Sequence, residues 1–186
     1  MKTGFINTGY FYVNSQFYGD NTVNLYFRMI WLLLTTKRRR GWMRLNALEN
    51  TLEGIVLLND IDVNGHMNNG RFMTVCDLNR IDLFIRTGLA RIMLRRKWMP
   101  IISYHDMSYY KSLKLGQRYR CNMSMEHWDE KYFYMRHRFT NPSGATVAEG
   151  VSRAVIRGKD GVIPPEEVVA AVEAYQQLST EKPSAE

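Results

Sequence analysis

The stretch whose reading decides the fold is "DIDVNGHMNNGRF", residues 60–72. Two aspartates, one histidine, three asparagines and two glycines share these thirteen positions, between the apolar run Ile55, Val56, Leu57, Leu58 and a long helix-like segment. Asparagine just ahead of an apolar periodic segment is a helix-start signal, because its short side chain accepts from amides that the first turn leaves unpaired. Asn68 or Asn69 is therefore expected to cap a helix over 70–86, and Gly88 stands where a left-handed C-terminal residue is wanted. Phe72, Met73, Val75, Cys76, Leu78, Ile81 and Leu83 to Ile85 are too many for one narrow apolar stripe. That helix should be surrounded on much of its circumference.

Downstream the period changes. After a short basic segment at 89–97, residues 101–113, 117–128, 131–140 and 146–157 read as strands, rich in aromatic and β-branched side chains. "DEK" at 129–131 and "NPSG" at 141–144 are turns that join neighbours into an antiparallel meander, and "GKDG" at 158–161 is expected to end the sheet. Pro164 and Pro165 then start a helix to about residue 178, with Glu166 and Glu167 in the turn that favours acidic groups. One long central helix wrapped by a curved antiparallel sheet is an α+β arrangement. The expected organisation is an N-terminal extension at 1–22, an apolar and basic helix at 23–42, the main domain at 43–162, and a C-terminal helix and tail at 163–186.

Composition narrows the function. With 186 residues, 45% of them hydrophobic and 12% aromatic, the chain is long and apolar enough to bury a real core. Cys76 and Cys121 are far apart in the sequence and read as two buried thiols in preference to a single disulfide, and four histidines without an HxxxH or CxxC pattern give no sequence reason to expect a metal. No cofactor is implied. The net charge of +7 gathers at Lys37 to Arg40 and at Arg95, Arg96 and Lys97, without any nucleic-acid-binding signature. A solvated face, or attraction for an anionic ligand or acidic membrane surface, accounts for it better than nucleic acid does.

The apolar run Met29 to Leu34 is too short for a bilayer, which needs about 20 residues. It reads either as a helix packed on the protein or as an interfacial helix. In the second case Tyr26, Phe27 and Trp31 enter lipid while Lys37 to Arg40 meet headgroups. The expected location is cytoplasmic, with peripheral contact at the inner membrane face under the interfacial reading.

"NDIDVNGHMNNGRF", followed by a helix and a meander, resembles the hotdog-fold acyl thioesterases of the 4-hydroxybenzoyl-CoA and acyl-ACP thioesterase-like kinds. Their loop runs D-x-D-x-N-x-H-x-N-N with an aromatic close behind, here Phe72, and the resemblance covers roughly residues 50–158. It implies a hotdog fold, hydrolysis of acyl-CoA or acyl carrier protein thioesters, and at least a homodimer. Carried over by position, Asp62 is the catalytic carboxylate, with Asn64 and His66 assisting it. Asn68, Asn69 and Gly70 fall at the helix start, where the family fixes the loop and binds substrate. One departure stands out: the strand glutamate of the plant enzymes has no counterpart in residues 107–113. Its absence leaves Asp62 with more of the chemistry, and it keeps open an alternative, a non-catalytic hotdog module that holds acyl chains or a partner.

The chemistry is reasonable on its own terms. A thioester expels a thiolate whose conjugate acid has a pKa of about 8.5, so one carboxylate acting as base or nucleophile can suffice. The developing oxyanion needs donors, which a helix N-terminus supplies with a favourable dipole. Gly65 and Gly70 are expected to permit close backbone approach there. Plainer roles compete: Asp60 reads as a loop brace, Asn68 and Asn69 as caps, and His105, His127 and His137 as ordinary strand residues. Asp77 and Arg80 read as an ion pair within the helix, ahead of the alternative of a ligand-facing acid and its partner.

Overall fold

The computed structural model describes residues 28–30, 32, 34–36, 43 and 49–180. The expectations for residues 1–22, Trp31, the basic run at 37–40 and the tail beyond 180 lie outside the described residues. In chain order the elements are β1 (Glu49–Ile55), a 3-10 turn (Leu58–Asp60), α1 (Asn69–Thr87), α2 (Leu89–Arg96), β2 (Met99–Tyr109), β3 (Arg118–Trp128), β4 (Phe133–Thr140), β5 (Thr146–Gly158), β6 (Gly161–Ile163) and α3 (Pro165–Thr180). The strands form one antiparallel sheet in the order β1-β3-β4-β5-β2, with β6 beside β5. A long helix cradled by a curved antiparallel sheet is the hotdog arrangement.

Local chemistry explains the meander. Asp129 Oδ1 accepts from the amides of Lys131 at 2.7 Å and Tyr132 at 2.6 Å, closing the turn into β4. Asn141 Oδ1 does the same for Ser143 at 3.1 Å and Ala145 at 3.0 Å ahead of β5. Along β4 buried and half-exposed residues alternate, as one face turns to the helix. Two expectations need correction. The turn after β5 does not end the sheet, because the chain returns as β6. Nor does β2 run to residue 113: it stops at Tyr109. Residues 110–117 then cross the end of the sheet, since β2 lies at one edge while β3 pairs with β1 toward the other. This crossing is pinned by Tyr110 and Lys111 amides donating to the Val147 carbonyl, and Leu113 O accepts from Met67 N at 2.7 Å. It becomes one wall of the functional cleft.

The core divides along α1. Phe72, Val75 and Cys76 pack with Tyr119, Phe139 and Val147 near the helix N-terminus. Leu83 packs with Ile92 and Met93 of α2, Met123 and Met135 of the sheet, and Val168 and Val172 of α3 at the other end. Gly88 closes α1 with φ 82°, as its position in the sequence led us to expect. Ahead of β1, the described residues among 28–36 are helical and lie against the body through Leu32 and Thr36, both buried. Thr36 Oγ1 donates to Asp82 Oδ1 at 2.6 Å. Ile30 and Leu34 are 49% and 70% exposed. Among the described residues, no helix is long and apolar enough to cross a membrane.

Candidate active site

Two aspartates two positions apart have opposite surroundings. Asp60 is fully buried, and its Oδ2 accepts from the Leu57 amide at 2.9 Å and from Arg28 Nη2 at 2.5 Å. Arg71 Nε approaches its Oδ1 at 3.7 Å, and its backbone carbonyl accepts from Asn68 N at 2.8 Å. Asp60 thus fastens the loop to the first turn of α1 and to the helical residues ahead of β1. It is a brace, and Arg28 is the partner that only a folded chain brings to it.

Asp62 heads a tight turn. Its amide donates to His66 O at 2.9 Å, its carbonyl accepts from Gly65 N at 3.1 Å, and its Oδ1 accepts from Asn64 N at 2.9 Å. The other carboxylate oxygen lies 3.5 Å from His66 Nδ1, within ion-pair range but longer than a strong hydrogen bond. The Asp62 side chain is 18% exposed and that of His66 34%, so solvent and small molecules reach both. Gly65 holds φ +75° with open space where a Cβ would stand. Its role is therefore the left-handed turn, not the close backbone approach expected of it. The Asn64 side chain stands exposed on the same turn, so the loop joins Asp62, Asn64 and His66 locally.

Asn68 is the cap. Its side chain accepts from Gly70 N at 2.8 Å, so the Gly70 amide is already engaged. Asn69 O accepts from the Tyr109 hydroxyl at 3.1 Å, tying the helix start to the end of β2. Between them opens a cleft of about 190 Å³, lined by His66, Asn69, Phe72, Tyr109 and the crossing residues Lys111 and Leu113. Burial raises the Tyr109 hydroxyl above its ordinary range, which keeps it a donor at neutral pH. Tyr109 and Lys111 carry no sequence signal of their own: residues 107–113 matter to the sequence only as the place of the family's strand glutamate, and neither residue type matches it. A second, apolar cavity of about 220 Å³ lies further along α1, between Ile81, Phe84, Pro100, Ile102 and Met135, with the paired Asp77 and Arg80 on its wall. From the helix start to Asp77 is roughly 12 Å along α1.

The sequence profile of the Thioesterase-like superfamily matches residues 56–172, from the loop through α1 and the sheet into α3. The chain belongs to that superfamily. Protein THEM6 of zebrafish (Danio rerio) is 33% identical over 115 residues, 62% of this chain and 54% of that protein. The chain thus spans about half the length of the curated relatives it matches. In three dimensions it superposes on the DHNA-CoA thioesterase of Staphylococcus aureus with a TM-score of 0.59 at 15% identity, covering 70% of this chain and 95% of that one. The 1,4-dihydroxy-2-naphthoyl-CoA thioesterase of Synechocystis gives a TM-score of 0.60 at 14% identity over 68% and 96% of the two chains. At such identities these likenesses establish the hotdog fold, and membership of the superfamily rests on the profile.

Proposed function

We propose that this chain hydrolyses acyl thioesters carried by coenzyme A or acyl carrier protein, with Asp62 as the reacting carboxylate. The observation that carries the reading is a solvent-reached carboxylate, beside a histidine, on the turn that leads into the first turn of α1. His66, which faces Asp62, also lines the cleft. Family membership supports thioester chemistry on this loop, and two of the similar folds belong to proteins described as CoA thioesterases. Asp62 either draws a proton from water as it attacks the carbonyl carbon, or attacks that carbon itself and leaves an anhydride for water to open. In both routes the C–S bond breaks and the sulfur leaves as thiolate. His66 and Asn64 orient the carboxylate and the water. The positive end of α1 favours the oxygen that gains charge. Lys111 on the cleft wall, and the chain's net charge of +7, suit an anionic carrier.

Turnover over a panel of acyl-CoA chain lengths and an acyl carrier protein thioester tests this reading. Thiol release above the hydrolytic background on at least one member is expected. Stoichiometric binding of acyl-CoA without release, across the panel, would replace the enzyme by a non-catalytic acyl-binding module.

The same reading includes a homodimer. β2 ends the sheet and leaves an edge strand of 11 residues, with Met99, Ile101 and Tyr104 exposed along it. Such an edge invites pairing with its copy across a two-fold axis. Solution mass at micromolar concentration checks it, and an active, strictly monomeric protein would refute it. Peripheral membrane contact at the cytoplasmic face belongs to this proposal as well, through Ile30, Leu34 and the basic run that follows.

A further inference from the structure

Midway along α1 the fold gathers three side chains whose numbers in the sequence give no hint of one another. Cys76 comes from the helix, His105 from the edge strand β2 and His137 from β4, and a ligand atom from each lies within 4.8 Å of the other two. Cys76 and His137 are fully buried and His105 is half-buried. Two of the nitrogens, His105 Nε2 and His137 Nδ1, are buried without a hydrogen-bond partner among the described residues. A buried polar atom left unsatisfied costs about 1–3 kcal/mol, and two around one thiol call for a reason beyond packing.

We propose that Cys76, His105 and His137 form a zinc site that ties α1 to β2 and β4. One thiolate with two imidazoles is a donor set suited to a borderline-soft d10 ion, and it is a poor one for magnesium or calcium. Such an ion draws sulfur to about 2.3 Å and nitrogen to about 2.0 Å, which places ligand atoms roughly 3.5 Å apart. Side-chain shifts of about 1 Å close the present arrangement to that size. His137 Nε2 lies 2.8 Å from Ser152 Oγ and 3.3 Å from Arg80 Nη1, which can only donate. A ligating Nδ1 needs its lone pair, so metal entry must put the proton on Nε2, directed at that hydroxyl, and turn Arg80 aside.

Electrostatics also allow it. Both imidazoles are held neutral at physiological pH: His137 is pushed down to about 3 by burial, the Arg80 charge and His105, and His105 is lowered by burial and Arg80. Among the described residues, Arg80 is the nearby cation that opposes an ion, but its charge is paired with Asp77. Burial raises the Cys76 thiol, so metal entry must displace its proton to solvent and the affinity falls with acid. The site stands roughly 10 Å along the helix from the loop, apart from the groups assigned to hydrolysis.

Untagged full-length protein, titrated with zinc against a chromophoric chelator and separately with cobalt(II), tests the proposal. One ion per chain, a thiolate-to-cobalt charge-transfer band, and a thermal midpoint that rises with zinc are expected. Cys76→Ser should remove the band, and His105→Ala, at the half-exposed position least able to harm folding, should weaken zinc binding at least tenfold. Cys121 Sγ is hydrogen-bonded with the Cys76 thiol, and Cys121→Ser should leave the band in place. No zinc bound by the folded protein would overturn the site. So would unchanged affinity in both Cys76→Ser and His105→Ala. These readouts do not involve thioester turnover, so an inactive protein that binds zinc refutes the function and not the site.

Discussion

The start of α1 and its middle hold polar groups in opposite ways. At the start, Asp62, Asn64, His66 and Asn68 belong to one short run, face solvent, and bond mostly to one another's backbone. In the middle, Asn50, Asn79 and Asp82 are buried, and each has a hydrogen-bond partner on another element. Asn79 Nδ2 donates to Cys121 O at 2.8 Å on β3, while Asn50 Nδ2 on β1 donates to Asn79 Oδ1 at 2.6 Å and to Asp82 Oδ2 at 2.9 Å. The first arrangement presents reactive groups, and the second fastens a helix to its sheet. Changing a group at the start should therefore alter chemistry and spare the fold, whereas changing one in the buried set should do the reverse.

The sharpest break in that contrast comes from the two aspartates. Asp62→Asn keeps size and polarity but removes the charge. It should lower kcat by about 10²–10⁴, the usual range for a lost acid–base group, with the thermal midpoint unchanged. Asp60→Asn strips a buried carboxylate from Arg28 and Arg71, and it should cost about 3 kcal/mol of stability while the folded fraction keeps its turnover. Paired kcat and urea-denaturation measurements decide between the two effects. Normal turnover by the Asp62 variant removes the mechanism. An Asp60 variant that is stable but inactive would mean the brace is the catalyst.

The same contrast explains what could be read from the sequence. The helix bounds, the Asn68 cap, the Gly88 terminus, both Asx-closed turns and the hotdog arrangement follow from short-range patterns and a compact motif. The Asp77–Arg80 pair followed from helical spacing. What escaped was non-local. Arg28 meets Asp60 only because the helical residues ahead of β1 lie against the loop, and Tyr109 reaches Asn69 because β2, at the sheet edge, ends beside the start of α1. Cys76, His105 and His137 carry no spacing rule, since three separate elements deliver them. β6 was missed because "GKDG" signals a turn equally well at the end of a sheet and inside a hairpin.

A gentler test uses pH on the buried set. His137 has a folded pKa of about 3, held down first by burial and then by Arg80 and His105, against about 6.5 in the unfolded chain. Between those values the unfolded state binds the extra proton, so stability is complete above about pH 6.5 and is lost as the pH falls toward 3. From pH 7 to pH 5 that single group should remove about 2 kcal/mol, with His105 adding in the same direction. Urea midpoints at pH 5, 6 and 7 measure the slope, and His137→Gln should flatten it. An equal slope in the variant would place the acid sensitivity elsewhere, in the loop or in the carboxylates.

The smallest expected effect concerns the residues ahead of β1, which share the character of both regions. Leu32 and Thr36 are buried, Thr36 bonds to Asp82 of α1 and Arg28 pairs with Asp60, while Ile30 and Leu34 are exposed just before four consecutive basic residues. An outward apolar edge joined to a basic run suits the surface of an anionic membrane, where each cation contributes about 1 kcal/mol. Deleting residues 1–42 would be a poor probe, because Asp60 would lose Arg28 and Asp82 would lose Thr36. Neutralising Lys37, Arg38, Arg39 and Arg40 together to glutamine leaves those contacts intact. In flotation assays the native protein should attach to anionic vesicles, not to neutral ones, and should detach as salt rises through the range where the Debye length falls to about 8 Å. The neutralised protein should stay with the soluble fraction and keep its thermal midpoint. If the native protein ignores anionic vesicles at low salt, the segment does nothing beyond packing, and the exposed Ile30 and Leu34 are ordinary surface.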